Sequence, residues 1–300
     1  LKLAVDASIK AGEIIMKYYC ADYEIKEKGY HNPVTTADNE ADAFLKSTLT
    51  SARPRYGWLS EETVDSKKRL AKDKVWIVDP LDGTKEFIEG VPQFVVSVAL
   101  VEKGIPIVGV LHNPVTKETF HAAKGEGTYL NDTRYKCSIK DSTKEMVILN
   151  SRSETRRGLW EPYKENFKEL RPIGSVAYKM GLTAIGKADI FATLRPKNEW
   201  DICAGVCLIN EAGGKVININ GNELNMWMLK PLDFDENKKY PLLMFQYSGP
   251  GSQQVSNSWN GSNDYWHNML AQKGIIVVCV DGRGTGFKGA QFKKITQKEL

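Results

Sequence analysis

The stretch Val75-Trp76-Ile77-Val78-Asp79-Pro80-Leu81-Asp82-Gly83-Thr84 decides the reading of most of this chain. Its four leading apolar residues read as a strand, and Pro80 and Gly83 bend the chain at the strand's end. In a regular strand Asp79 and Asp82 would face opposite sides, but on a bent chain the two carboxylates can converge on one point. Oxygen donors without His or Cys nearby suit a hard divalent cation, Mg²⁺ or Mn²⁺, and the bend frees the Leu81 carbonyl as a neutral donor. Taken alone, Asp82-Gly83 also reads as a plain hairpin turn.

Two more acidic segments lie beside apolar ones, Ser60-Glu61-Glu62-Thr63 and Trp200-Asp201. Each has a plainer reading, a solvated face for Glu61-Glu62 and a helix N-cap for Asp201. Upstream, apolar residues at helical spacing from Leu3 to Tyr18 and from Ala37 to Leu45 predict two leading helices. Short apolar runs at 75–78, 94–101, 107–111 and 119–122, broken by Gly, Pro and Asn, predict a mostly antiparallel sheet. Helices near 176–184 and 202–212 then flank strand-like 190–193 and 215–219, an α/β layer.

The 300 residues are 42% hydrophobic and 26% charged, with a net charge of +4, a composition that excludes a disordered chain. No run approaches the roughly 20 apolar residues of a bilayer-crossing helix. Basic and acidic residues number 32 and 31 up to Leu224 and 9 and 6 after it, so neither part carries the excess of a nucleic-acid-binding domain. Cys20, Cys137, Cys203, Cys207 and Cys279 are odd in number and lack CxxC spacing, which argues against a disulfide framework and a structural zinc site. His31, His112, His121 and His267 stand in no metal or triad spacing. The chain opens on Leu1-Lys2-Leu3 without a Met or a leader, so a trimmed start and a cytoplasmic location are expected.

In order, Asn32-Pro33-Val34-Thr35-Thr36-Ala37-Asp38, Ser60-Glu61-Glu62, residues 79–84 and Trp200-Asp201 resemble the inositol monophosphatase superfamily of Mg²⁺-dependent, lithium-sensitive phosphomonoesterases. Within it, Lys85-Glu86-Phe87 after the acidic motif, Ile173-Gly174-Ser175, Tyr178-Lys179 and residues 195–201 resemble the 3'(2'),5'-bisphosphate nucleotidases of the CysQ type. The resemblance covers residues 1–224 and implies a layered α-β-α-β-α sandwich, of α+β or α/β class. It implies that Glu61, Asp79, Asp82, Asp201 and the Leu81 carbonyl hold about two or three Mg²⁺ ions, with Mn²⁺ as a possible substitute. Glu61, Thr84 and Asp38 become the catalytic residues, Thr84 hydrogen-bonded to Asp38 orienting the attacking water, and Glu62 orients the site from behind. Asp82, Gly83 and Thr84 are expected at the phosphate, and Gly174, Ser175, Lys179 and Asp201 on the substrate side, with Arg195 a further phosphate contact. The implied reaction is hydrolysis of a small phosphorylated nucleotide, adenosine 3',5'-bisphosphate, to AMP and phosphate, in the setting of sulfur assimilation. Alternatives are an inositol or sugar phosphate as substrate, or a chain that binds metal or nucleotide without turnover.

A boundary is expected near residues 222–226, giving a phosphatase domain over 1–224 and a second segment over 225–300. The latter resembles the opening of the α/β-hydrolase domain of dipeptidyl peptidase IV-like serine peptidases, on Tyr247-Ser248-Gly249-Pro250-Gly251 and Asp281-Gly282-Arg283-Gly284. Residues 241–247 and 275–280 read as its buried strands. That resemblance implies a vestigial oxyanion-hole role for Tyr247. No G-x-S-x-G elbow occurs before Leu300, so the segment reads as an incomplete hydrolase fragment without peptidase activity, joined to an unrelated enzyme.

Overall fold

The helical spacing at the start of the chain folds as α1 (Lys2–Met16) and α2 (Thr36–Ala52), with the antiparallel pair β1 (Ile25–Gly29) and β2 (Asn32–Thr35) between them. This computed structural model describes residues 1–217 except 30, 31, 67 and 196, and beyond them 226–229, 235, 238, 241–245, 262–273 and 275–280. The short apolar runs then build one seven-stranded sheet in chain order. Its strands are β3 (Gly57–Ser60), β4 (Lys74–Asp82), β5 (Val95–Glu102), β6 (Ile105–Asn113), β7 (Glu118–Ala123), β8 (Gly127–Leu130) and β9 (Thr133–Tyr135), with the short helix α3 (Thr84–Ile88) after β4. Only β3 and β4 are parallel; every other neighbouring pair is antiparallel, as the runs predict.

Period-two alternation divides this sheet between two cores. Trp76, Val78, Val96, Val98 and Val110 pack with Ala4, Ala11, Ala37, Ala41 and Leu45 of α1 and α2. On the other face, Ile77, Val95, Ala99, Leu111 and Phe120 meet α5 (Val176–Ala184) and α6 (Glu199–Glu211) through Ala177, Met180, Ala204 and Leu208. A parallel three-stranded sheet, β11-β10-β12, comes next: β10 (Val147–Ser151), β11 (Glu169–Ile173) and β12 (Ile190–Phe191). Leu149 of β10 joins the α5 and α6 core, and α4 (Arg152–Arg156) packs on β10 and β11. The layers therefore run α-β-α-β-α, the sandwich expected from the resemblance.

Two details depart from the sequence reading. Of the strand expected over 215–219, residues 215–217 are irregular and 218–219 lie outside the described residues; Ile217, at 72% exposure, buries too little to reward strand pairing. Asp82-Gly83 is no hairpin turn either, because β4 ends at Asp82 and Gly83 leads into the helix α3 instead of a returning strand.

Residues Asn220–Leu300 form a second compact unit, separate from Leu1–Ile219. Its described elements are β13 (Met226–Leu229), β14 (Leu242–Phe245), α7 (Ser262–Gln272) and β15 (Ile276–Val280). The strand order is β13-β15-β14, with β14 and β15 parallel and joined through α7, and β13 antiparallel. Both strands expected here form; β13 and α7 carry periodicity too short to single out. Tyr247 and residues 281–284 lie outside the described residues. Among the described residues no helix is long and apolar enough to cross a membrane.

Candidate active site

The acidic motif reaches its geometry through a β-bulge. Asp79 pairs with Ser97 and Asp82 with Val95, so three steps along β4 oppose two along β5. The extra residue cancels the alternation that would send the two carboxylates to opposite faces. Gly83, at φ +105°, completes the bend; a Cβ there would sit 2.9 Å from the Gln93 carbonyl oxygen and 3.0 Å from Phe94 Cβ. Leu81 N–H donates to Asp79 Oδ1 at 3.0 Å, holding the Asp79 side chain against its own backbone.

The parallel register of β3 and β4 places Ser60 opposite Val78, and Glu61 N–H donates to the Val78 carbonyl at 3.2 Å, so Glu61 emerges beside Asp79. Asp201 arrives from the far core on the first turn of α6, where its carboxylate accepts from Asn198 N–H at 2.9 Å in a capping box. The N-cap of α6 is thus Asn198 and not Asp201, which closes the capping box from the third helical position and also faces the site. Carboxylate oxygens of Glu61, Asp79 and Asp201 all lie within 4.8 Å of one another. Asp82 stands outside that trio but in the same cleft, its Oδ2 accepting from Ser175 Oγ and, at 2.6 Å, from Ala177 N–H at the start of α5.

Electrostatics mark the cluster as short of positive charge. Burial, then the charges of Glu61, Asp82 and Asp201, push Asp79 well above the usual carboxylate range. Burial and the Asp201 charge raise Asp82 to about 7, against the pull of the Ser175 and Ala177 hydrogen bonds. Asp201 is raised by burial as well, with Glu61 adding to it. Converging, desolvated, all-oxygen donors of this kind fit a hard divalent cation, which would compensate the charge that burial penalises.

Thr84, at the start of α3, lies with its hydroxyl 3.1 Å from Asp38 Oδ1 and 3.2 Å from the Leu81 carbonyl. The Asp38 Oδ2 accepts from Thr35 N–H at 2.7 Å and Thr35 Oγ1 at 2.6 Å, which fixes the carboxylate at the N-terminus of α2. The Thr84–Asp38 pair expected from the sequence is therefore present.

The cleft around these groups encloses about 310 Å³. Gly174, Ser175 and Lys179 line it as expected, yet Lys179 is buried and its ammonium donates to the Ile173 and Ser175 carbonyls. Burial lowers this lysine to about 8. Gly174 N–H is committed to Gln93 Oε1 at 2.8 Å. Arg195 is exposed and does not line the cleft; Arg152, Arg156 and Lys197 do. The reason lies in Glu154, a fully buried carboxylate that accepts from Thr193 Oγ1, Leu194 N–H and Trp160 Nε1 and so ties down the segment preceding Arg195. Arg152 is held by Glu86 at 2.9 Å and Glu89 at 2.7 Å. These groups escaped the sequence reading because their partners are far apart in the chain.

The inositol monophosphatase family profile matches residues 1–242. This chain belongs to the inositol monophosphatase family. The match runs past the boundary expected at residue 224. The fructose-1,6-bisphosphatase/inositol-1-monophosphatase of Thermotoga maritima is 33% identical over 218 residues, 72% of this chain and 83% of that protein. An inositol-1-monophosphatase of Rhizobium meliloti is 34% identical over 223 residues, 71% of this chain and 83% of its own length. The solved Thermotoga maritima IMPase superposes with a TM-score of 0.69 at 32% identity, covering 74% of this chain and 87% of that one. These family relatives carry inositol monophosphatase names, where the sequence reading favoured a bisphosphate nucleotidase.

Proposed function

We propose that the chain is a Mg²⁺-dependent phosphomonoesterase acting on an inositol or sugar phosphate. The observation that carries this reading is the Glu61, Asp79 and Asp201 cluster, flanked by Asp82 and the Thr84–Asp38 pair, in a member of the inositol monophosphatase family. Glu61, Asp79 and Asp201 would hold a cation, with Asp82 and the Leu81 carbonyl as further oxygen donors facing the same cleft. Such a cation supplies Lewis acidity, screening the phosphate's charge and acidifying water in the site. The remaining work falls to side chains. Thr84 donates its hydroxyl hydrogen to Asp38, so an oxygen lone pair is left to accept from a water in the cleft. That water is aimed at phosphorus, and its proton passes to Thr84 Oγ1 as the threonine proton moves to Asp38. The backbone amides of Gly83 and Thr84 favour the anionic phosphate. Ser151, Ser153, Thr193 and Asn198 on the cleft wall offer hydroxyl and amide groups that suit a polyhydroxylated leaving group.

A bisphosphate nucleotidase is the second reading. It is favoured by the Lys85-Glu86-Phe87 sequence and by Arg156 and Lys197 on the cleft wall, which suit a second phosphate. The peptidase-like origin of residues 225–300 rests on sequence alone and adds no activity to either reading. Phosphate release from inositol 1-phosphate, fructose 1,6-bisphosphate and adenosine 3',5'-bisphosphate with Mg²⁺ separates the readings, with Asp82→Asn and added Li⁺ as controls. Fastest turnover of the inositol or sugar ester, lost in Asp82→Asn, is expected; a preference for the nucleotide selects the second reading, and release from none of the three overturns both.

A further inference from the structure

Asp42 is a buried carboxylate, 7% exposed, that lies one helical turn after Asp38 on α2. Residues four apart share a helix face, so α2 presents two acids toward the site, one above the other. Asp38 takes the Thr84 hydroxyl. Asp42 takes two hydroxyls, Ser60 Oγ at the end of β3 on Oδ1 and Thr63 Oγ1 of the following loop on Oδ2 at 2.7 Å. Those two donors bracket Glu61 and Glu62 in the chain. The Ser60 oxygen also lies 3.4 Å from the Glu62 N–H, closing the loop on itself.

We propose that Asp42 is a positioning residue for Glu61: by clamping Ser60 and Thr63 it holds the Glu61 carboxylate in reach of Asp79 and Asp201. This inference rests on the metal reading of the trio. The Asp42 contacts thus tie α2 to the end of β3, next to Glu61 in the chain. Both hydroxyls turn inward as donors to the Asp42 carboxylate. Loss of partners that orient a ligand in this manner costs about 10- to 100-fold in metal affinity or activity.

The test is Mn²⁺ binding to the full chain, read from the paramagnetic resonance of free Mn²⁺, alongside thermal melting. Asp42→Asn is expected to weaken Mn²⁺ binding about tenfold or more. Because that change also removes a negative charge, Thr63→Val isolates the geometric contribution and should weaken binding without altering charge, while Thr63→Ser, which keeps the hydroxyl, should restore it. Leu49→Ala, on the buried face of the same helix, should lower the melting temperature and leave Mn²⁺ affinity unchanged. Lower melting temperatures for Asp42→Asn and Thr63→Val with wild-type affinity would reduce Asp42 to a structural residue and overturn the inference. Absence of Mn²⁺ binding by the wild type would instead overturn the metal reading, and the inference with it.

Discussion

Thr84 concentrates the chemistry of the site in one hydroxyl, placed between the Asp38 carboxylate and the cleft. Thr84→Val keeps the shape and removes the relay. We expect kcat to fall about 10²- to 10⁴-fold, the range of a lost general acid or base, with Mn²⁺ affinity nearly unchanged. A proportional loss of metal affinity would show that Thr84 supports the cluster and does not move the proton. At this scale the sequence was most legible where chemistry and neighbourhood coincide: Asp79, Asp82 and Thr84 lie on one bend, and Glu61 and Asp201 each adjoin an apolar segment. It was least legible for Arg152, Glu154 and Asp42, whose partners Glu86, Thr193 and Ser60 are brought to them only by folding. Arg195 shows the converse, nearness to Asp201 in sequence without a place in the cleft.

Elements deliver those residues, and two of them do so by close approach. The bulge in β4 was visible as Pro80 and Gly83 but not as a bulge, because strand continuation depends on Asp82 pairing with Val95 across the sheet. Similarly, the helix expected near 202–212 forms as α6, yet its seat depends on Gly109 of β6, where a Cβ would come 2.4 Å from the Ala204 carbonyl oxygen and 2.9 Å from Cys207 Cβ. Both obstacles belong to α6, so Gly109→Ala must push the helix outward. Such overpacking costs about 1–3 kcal/mol, measurable by urea denaturation. Asp201 rides on the first turn of that helix, so Mn²⁺ binding should weaken along with stability. Unchanged stability would mean that α6 shifts freely, and the site with it.

The whole molecule pays for its site with electrostatic stability, and pH exposes the sign. Asp82 is raised to about 7 and Asp79 well above its ordinary value, both chiefly by burial, so the folded chain binds protons that the unfolded chain has already lost. A carboxylate raised on folding contributes stability that is fully present below its unfolded pKa and is lost as pH rises through the folded one. His112 acts in the opposite direction, since burial lowers it to about 4, but its contribution is complete above the unfolded histidine value of about 6.5. Lys179, lowered to about 8, adds stability only at more alkaline pH. Asp82 therefore sets the trend between about pH 6.5 and about pH 7.5, where its lost proton costs at most about 1.4 kcal/mol per pH unit, and Asp79 acts in the same direction. Metal-free protein should melt at a lower temperature at the upper end of that window than at the lower, and Asp82→Asn should flatten the trend. A cation that binds only the folded state stabilises it by mass action, more strongly where the carboxylates are already ionised. Saturating Mg²⁺ should accordingly raise the melting temperature more at about pH 7.5 than at about pH 6.5. A metal-free melting temperature that holds or rises across this window, or a Mg²⁺ increment independent of pH, would mean that the buried carboxylates are compensated by the protein itself and that no cation is needed to complete the site.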